Sequence, residues 1–345
     1  MNTMIKIKSI FANIIYYSGI TDKVIANKSK SQYLILMYHR IIPYKEAVPG
    51  LQAGMYVDPE TFKMHVQYLK NYFNVIPLFE IPLYLKYSNN TSNEKPVCVL
   101  TFDDGWYNFY KYAYPILMKH EIPATVFLPT KYIGTKYRFW TDTLTQLCYG
   151  REQGEGSNRR QPKSSNPVID LLENGNGYTE NRMERAIETM KALPQKEIKR
   201  ILASLSERWG IDTTPRTRDF LTWDEVREMR RSDFVSFGSH TDTHRILTML
   251  TEDEIEEELK TSKDKLTAEG AVDSSFLPFA YPNGNYNRKI MALLKKHKYS
   301  LAVTTRKGWN HFSDDSINFE LNRIGIHQDM AFSNSMFGCR VLQFI

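Results

Sequence analysis

Three cysteines in 345 residues, Cys98, Cys148 and Cys339, are too few and too widely spaced for a disulfide framework or a cysteine-rich zinc site. Cys98 lies inside an apolar run, so free thiols in a reducing compartment are expected. No apolar run approaches the roughly 18 residues that a spanning helix needs, so no transmembrane segment is expected. Dense basic runs interleaved with aromatics are also missing. With 45 basic against 39 acidic residues, the net charge of +6 is small beside the total, and there is no nucleic-acid footprint. A secretory leader is imitated poorly. Lys6 and Lys8 precede the apolar stretch 10–17, but that stretch is short, holds Asn13 and lacks a small-x-small cleavage site. Residues 1–32 are therefore expected to form a helical segment packed on the domain of a cytoplasmic protein. Peripheral membrane contact through this basic, aromatic start stays open.

What is present is a core-forming composition, 42% apolar and 13% aromatic. Short apolar runs recur at 33–38, 97–100, 124–128, 234–238, 275–281, 301–304 and 321–326, the pattern of strands buried on both faces. Helical signals lie between them. Asp58-Pro59-Glu60 opens one helix, with Phe62, Val66, Leu69 and Phe73 on a single face, and Thr222 with Glu225 forms a capping box for another. His65 and His297 fall on such helices and are expected at the surface, while His120 closes one. Strand–helix alternation gives an α/β fold, a parallel wheel or barrel, over 33–330. The segment 137–215 breaks the rhythm with a Gly-, Asn-, Gln- and Arg-rich stretch followed by charged helical sequence, and reads as one insertion. Residues 331–345 are left as a C-terminal tail.

The residues able to do chemistry all fall where strands stop: Asp103 and Asp104, His240 and His244, 282–284, and Arg323 to His327. In parallel barrels those ends form one face, where sites are built. Two adjacent carboxylates in a partly dry site need a cation or a proton to offset their repulsion. Two histidines at i and i+4, on one helical turn, with one carboxylate make a three-ligand set for a divalent ion such as zinc, leaving a position for water. The second aspartate is then free to act as base. Taken singly, Asp-Asp-Gly is usually a turn and His-x-x-x-His a helix face; together at strand ends they point to one site. His39 also ends a strand, as a structural or substrate-lining residue.

Thr101-Phe102-Asp103-Asp104-Gly105 and Ser239-His240-Thr241-Asp242-Thr243-His244 resemble the first two motifs of the polysaccharide deacetylases with a NodB-like domain, carbohydrate esterase family 4. Leu36-Met37-Tyr38-His39-Arg40 and Phe139-Trp140-Thr141-Asp142 are similar to a branch of that family with a tryptophan-marked insertion. The resemblance implies a distorted (β/α)7 barrel. It also implies hydrolysis of an N-acetyl, sometimes O-acetyl, group on a sugar or glycan precursor with a divalent metal, Zn2+ foremost, then Co2+, Ni2+ or Mn2+. Asp103 would be the base, with Asp104, His240 and His244 as metal ligands and a water in the metal's open position as nucleophile. Where many members carry Arg-x-Pro-Tyr-Gly, this chain has Ala280-Tyr281-Pro282-Asn283-Gly284, so the arginine that tethers the base is missing from its usual place. Arg323, at a neighbouring strand end, is the candidate replacement. The Asn283 backbone N–H is the candidate oxyanion donor. The aspartate-tryptophan motif is not recognisable near 304–309, whereas Ile324-Gly325-Ile326-His327 makes His327 the candidate general acid. Tyr281, Trp106 and Trp309 are candidate stacking platforms for the sugar. Two alternatives stay open: a catalytically silent carbohydrate-binding relative, and a hydrolase of other non-peptide C–N bonds.

Overall fold

Seven parallel strands organise the computed structural model of the chain, which describes residues 3–28, 31–47, 53–87, 95–156, 164–173, 180–273, 275–312 and 319–345. They are β1 (Gln32–Tyr38), β2 (Val97–Phe102), β3 (Ala124–Leu128), β4 (Val235–Ser239), β5 (Pro278–Ala280), β6 (Leu301–Val303) and β7 (Ile324–Gly325). β1 to β6 pair in parallel in chain order, each of the first five with the next, and β7 returns to the other edge of β1, with Leu36 opposite Ile324. A bridge from Val303 to Leu321, with Thr304 N–H donating to the Leu321 carbonyl at 2.8 Å, joins the β6 edge to the segment entering β7. The sheet thus curls into a distorted barrel whose seam is a single bridge.

The apolar runs become strands because both faces are covered. Tyr33, Ile35, Val99, Phe127, Leu301 and Val303 belong to one buried cluster, while the alternating Leu34, Leu36, Cys98 and Leu100 are equally buried. Space is tightest at Gly238 in β4. A Cβ there would lie 2.7 Å from both the Phe127 ring and the Pro278 carbonyl oxygen, atoms of the two flanking strands. Only glycine lets β3, β4 and β5 approach at this point.

Several local expectations are corrected. The run Val75-Ile76-Pro77-Leu78, which reads as a short strand, is one only at Asn74–Val75; Leu78–Glu80 is a 3-10 turn after Pro77. The helix after Trp106 begins as a π-helical turn, Phe109–Ala113, before Tyr114–His120. Residues 331–345 contain the helix Asn334–Val341, buried along much of its length, whose Met336 and Cys339 pack with Ala12 of the helix Thr3–Tyr17. A second N-terminal helix spans Ile20–Lys28.

Contacts divide the chain into two units. One holds the sheet; the other centres on Lys136–Asp219. The latter contains four helices, Trp140–Glu152, Pro167–Glu173, Glu180–Lys191 and Gln195–Trp209, with their own core of Leu144, Met183, Ile187, Ile201, Leu205 and Trp209. Residues 88–94, polar in sequence, and residues 157–163 of the Gly- and Arg-rich stretch lie outside the described residues.

His65 is fully buried, not at the surface. Its ring stacks on Phe337 at 4.0 Å, Nε2 lies 2.6 Å from the Ala331 carbonyl, and Nδ1 lies 3.3 Å from the Tyr38 hydroxyl. That pattern fits a neutral imidazole donating through Nε2 and accepting at Nδ1. Burial pushes its pKa down to about 3. A depressed folded pKa gives stability that is complete above the unfolded value of about 6.5 and is lost as pH falls toward the folded one.

Two outcomes follow from this packing. Gly238→Ala is expected to destabilise the domain by roughly 1–3 kcal/mol through overpacking, read as a lower denaturant midpoint. Between pH 6.5 and 4.5 the native protein should lose more stability than His65→Gln does; parallel pH profiles for the two proteins would contradict a neutral buried His65.

Candidate active site

β2 ends in two consecutive left-handed residues, Asp104 (φ 74°) and Gly105 (φ 62°). A Cβ on Gly105 would meet Leu128 at 2.7 Å and Ile133 at 3.0 Å, so the turn needs glycine both for its backbone and for its space. The turn sends the two adjacent carboxylates to different partners, and each is only 3% exposed. Asp103 receives a two-pronged grip from Arg323, Nη1 to Oδ1 and Nη2 to Oδ2, both at 2.7 Å. Two further donors of Arg323 are used: Nη1 reaches Thr101 Oγ1 at 3.1 Å and Nε the Thr304 carbonyl at 2.8 Å. Burial would raise the Asp103 pKa, but the Arg323 guanidinium and nearby His240 bring it below the ordinary carboxylate value.

Asp104 faces the histidines. Its Oδ1 lies 3.2 Å from His244 Nε2 and 3.5 Å from His240 Nε2, while Oδ2 accepts from Trp106 Nε1 at 3.0 Å. Although burial opposes ionisation, His244 holds this carboxyl well below the usual range. The histidine pair is not on a helical turn, which corrects the expectation. It sits on an irregular loop after β4, with Thr241 (φ 64°) and His244 (φ 56°) in the left-handed region. Left-handed backbone at two residues of this loop, neither of them glycine, marks a loop held in shape by its surroundings.

The holding group is Glu258, on the helix Glu252–Ala268. This buried carboxylate accepts from the backbone N–H groups of Asp242 (3.0 Å) and Thr243 (2.8 Å) and from the Thr243 hydroxyl. Ser262 of the same helix bonds Ser239 Oγ at 2.7 Å. Glu258 was missed in the sequence because it reads as one acid among many on a charged helix. His240 Nδ1 lies 2.7 Å from the Ala280 carbonyl, which leaves Nε2 as the acceptor turned to Asp104. Burial, and then His244, lower the His240 pKa to about 4, so the ring is neutral at neutral pH and able to ligate.

The donor atoms of Asp104, His240 and His244 all lie within 4.8 Å of one another. One anionic oxygen and two imidazole nitrogens, with the tautomer of His240 fixed by a carbonyl, fit the donor set of a divalent ion such as zinc.

His327 follows β7 as the N-terminal cap of a short helix, Gln328–Ala331. Burial and His39 lower its pKa to about 4, opposed by a hydrogen bond to the Gly54 backbone. His39, at the end of β1, acts electrostatically on Asp103, Asp104 and His327 alike, which makes it the residue common to both halves of the face. Asn283 is exposed in the turn Pro282–Gly284, with φ 55°. None of the three aromatics offers an open face, so the stacking expectation fails for each. Trp106 is 2% exposed, sandwiched between Phe220 at 4.7 Å and the Arg40 guanidinium at 3.5 Å. Tyr281 is 1% exposed and bonded to the Phe319 carbonyl. Trp309 is 6% exposed, packs on Phe73 and bonds the Val341 carbonyl.

A sequence profile for polysaccharide deacetylases matches residues 90–302. Over 132 residues the chain is 30% identical to YxkH of Bacillus subtilis, 37% of this chain and 43% of that protein. It is also 30% identical over 114 residues to the poly-β-1,6-N-acetyl-D-glucosamine N-deacetylase of Staphylococcus epidermidis, 31% of this chain and 39% of that protein. Each match therefore spans less than half of the relative's length. Among solved structures, the Streptococcus pyogenes deacetylase PplD in complex with acetate is similar in fold, with TM-score 0.56 and 24% identity over 90% of this chain and 97% of that one.

Breaking the buried pair should be costly. Arg323→Met strands the Asp103 charge and is expected to lower stability by roughly 3–5 kcal/mol, measured by denaturant unfolding. Adding Asp103→Asn in the same chain should recover part of that loss, and simple additivity of the two changes would contradict the coupling.

Proposed function

This chain belongs to the polysaccharide deacetylase family, and from that premise we propose that it hydrolyses the N-acetyl groups of a saccharide, with Asp103 as general base. The observation that carries this reading is the unequal environment of the two carboxylates. Asp103 is kept ionised by Arg323, while Asp104 joins two neutral-capable imidazoles in one donor set. A binding protein has no use for a buried base beside such a set, which weighs against a catalytically silent relative.

In the proposed reaction Asp104, His240 and His244 hold a divalent ion, Zn2+ being the best match to the donors. When bound, that ion supplies Lewis-acid polarisation of the acyl oxygen and a more acidic water. Asp103 takes the proton of the attacking water. Arg323 occupies one lone pair on each Asp103 oxygen, which leaves the others for that proton and fixes the carboxylate plane. The backbone N–H of Asn283, in the strained turn beyond β5, is the proposed donor to the developing oxyanion. His327 is the proposed acid for the leaving amine. In the free protein burial and His39 hold its pKa at about 4. In this proposal it takes up a proton from solvent as negative charge develops on the substrate beside it and gives it to the amine nitrogen as the C–N bond breaks, while the water proton taken by Asp103 returns to solvent. His39, between the aspartates and His327 in electrostatic terms, is proposed to line the substrate.

Acetate release from a panel of N-acetylated glycans, with and without a chelator, tests the reading. Chelator-sensitive release is expected, and a metal-loaded protein inert on every glycan but active on small amides would move the reading to another C–N hydrolase. Asp103→Asn should keep the metal and lose turnover, whereas His244→Ala should lose both; equal metal loss in the two would contradict the division of roles. His327→Ala should lower turnover by about 10² to 10⁴, and near-normal activity would remove it from the site.

A further inference from the structure

The helix Thr3–Tyr17 is apolar on two sides, but only one of them is packed. Ala12 is buried, its carbonyl accepts from Cys339 Sγ, Asn13 Oδ1 accepts from Ser335 Oγ at 2.6 Å, and Tyr16 leans on Tyr68. On the other side Met4, Ile7, Ile10, Phe11, Ile14 and Tyr17 are exposed, from 47% at Phe11 to 82% at Tyr17. At about 100° per residue these six cover an arc of about 140°, with Lys6 bordering one edge and Lys8 the other. No Asp or Glu occurs before Asp22. Ile20, 44% exposed, continues the apolar surface into the next helix.

Six large exposed apolar side chains in one continuous stripe are more than a monomer's surface ordinarily carries. A second copy of this chain is a poor occupant. A two-fold contact would place four lysines, Lys6 and Lys8 of each copy, at the rim of one apolar interface, with no acid in residues 1–21 to offset them. Lipid has no such conflict, because phosphates meet the lysines while the stripe enters the acyl boundary. We propose that this face of the helix Thr3–Tyr17 lies in the surface of an anionic lipid bilayer, the six apolar side chains inserted and Lys6 and Lys8 at the headgroups. The contact would be rigidly tied to the barrel. The helix rests on Asn334–Val341, whose Arg340 donates from Nε to the Gly325 carbonyl at 3.0 Å, two residues before His327. The inference does not depend on the proposed reaction.

Vesicle co-sedimentation of the full chain tests it, with phosphatidylcholine alone and with a phosphatidylcholine–phosphatidylglycerol mixture. Binding to the anionic vesicles should exceed binding to the neutral ones by about tenfold or more at low salt and weaken as salt rises. Ile7→Glu with Ile14→Glu should abolish it while leaving circular dichroism and the unfolding midpoint unchanged, since both side chains are exposed. As a second measurement, a Phe11→Trp reporter should shift its emission to the blue on anionic vesicles. Absence of binding by the parent, equal binding by the Glu variant, or a reporter that stays red-shifted each overturns the proposal. So does a parent dimer in sedimentation velocity that the Glu variant converts to monomer, because the occupant is then a second copy.

Discussion

The pairing of Arg323 with Asp103 is the constraint on which the site depends. A fully buried guanidinium in the interior of a curled sheet is tolerable only when its charge is paired and its donors find acceptors. Here the acceptors are Asp103, the hydroxyl of Thr101 and the carbonyl of Thr304, contributed by β2 and by the residue that follows β6, while Arg323 itself precedes β7. The same side chain therefore spans the junction where a bridge joins the β6 edge to the approach to β7. Lysine could not substitute, since a single ammonium cannot meet two carboxylate oxygens in one plane while also reaching a hydroxyl and a carbonyl.

From this anchor the rest of the face acquires its division. Because Asp103 is neutralised from within the barrel, Asp104 can be turned away by the left-handed turn at 104–105 to face the histidine loop. Two adjacent like charges coexist because each has its own partners: one a guanidinium, the other two imidazoles and an indole N–H. Trp106 belongs to this arrangement as a support for Asp104, with its ring faces covered by Phe220 and Arg40. Its place beside the aspartates in sequence reflects that buried duty, not contact with a sugar.

How much of this was legible in the sequence follows the range of the interactions. Strand runs ending in Asp103, His240 and His327 could be read because burial on both faces leaves a local, continuous apolar signature. The link from Arg323 to Asp103 was inferred from position at neighbouring strand ends, and the two-pronged geometry is what 220 residues of separation bring together. What escaped is long-range and polar. Glu258 looks like solvated charge until its helix packs behind the histidine loop. His65 lies on an amphipathic helix whose buried face, as packed, is wide enough to take it in against Phe337. The three aromatics were read from residue type alone, and type cannot distinguish a ring that covers a sugar from one that fills a core.

The proposed replacement of the motif arginine by Arg323 separates chemistry from address. A base in a buried site needs its charge offset, its plane fixed and one lone pair per oxygen left outward; nothing in that requirement names the strand that supplies the guanidinium. In a closed ring of parallel strands, several strand ends point side chains at the same carboxylate. A fork that is absent after β5 can then be supplied from ahead of β7 without moving Asp103. What the exchange cannot alter is burial: a surface arginine at either address would be screened by water and would leave the carboxylate unfixed. The zero exposure of Arg323 is therefore the property that qualifies it for the role, more than its place in any sequence pattern.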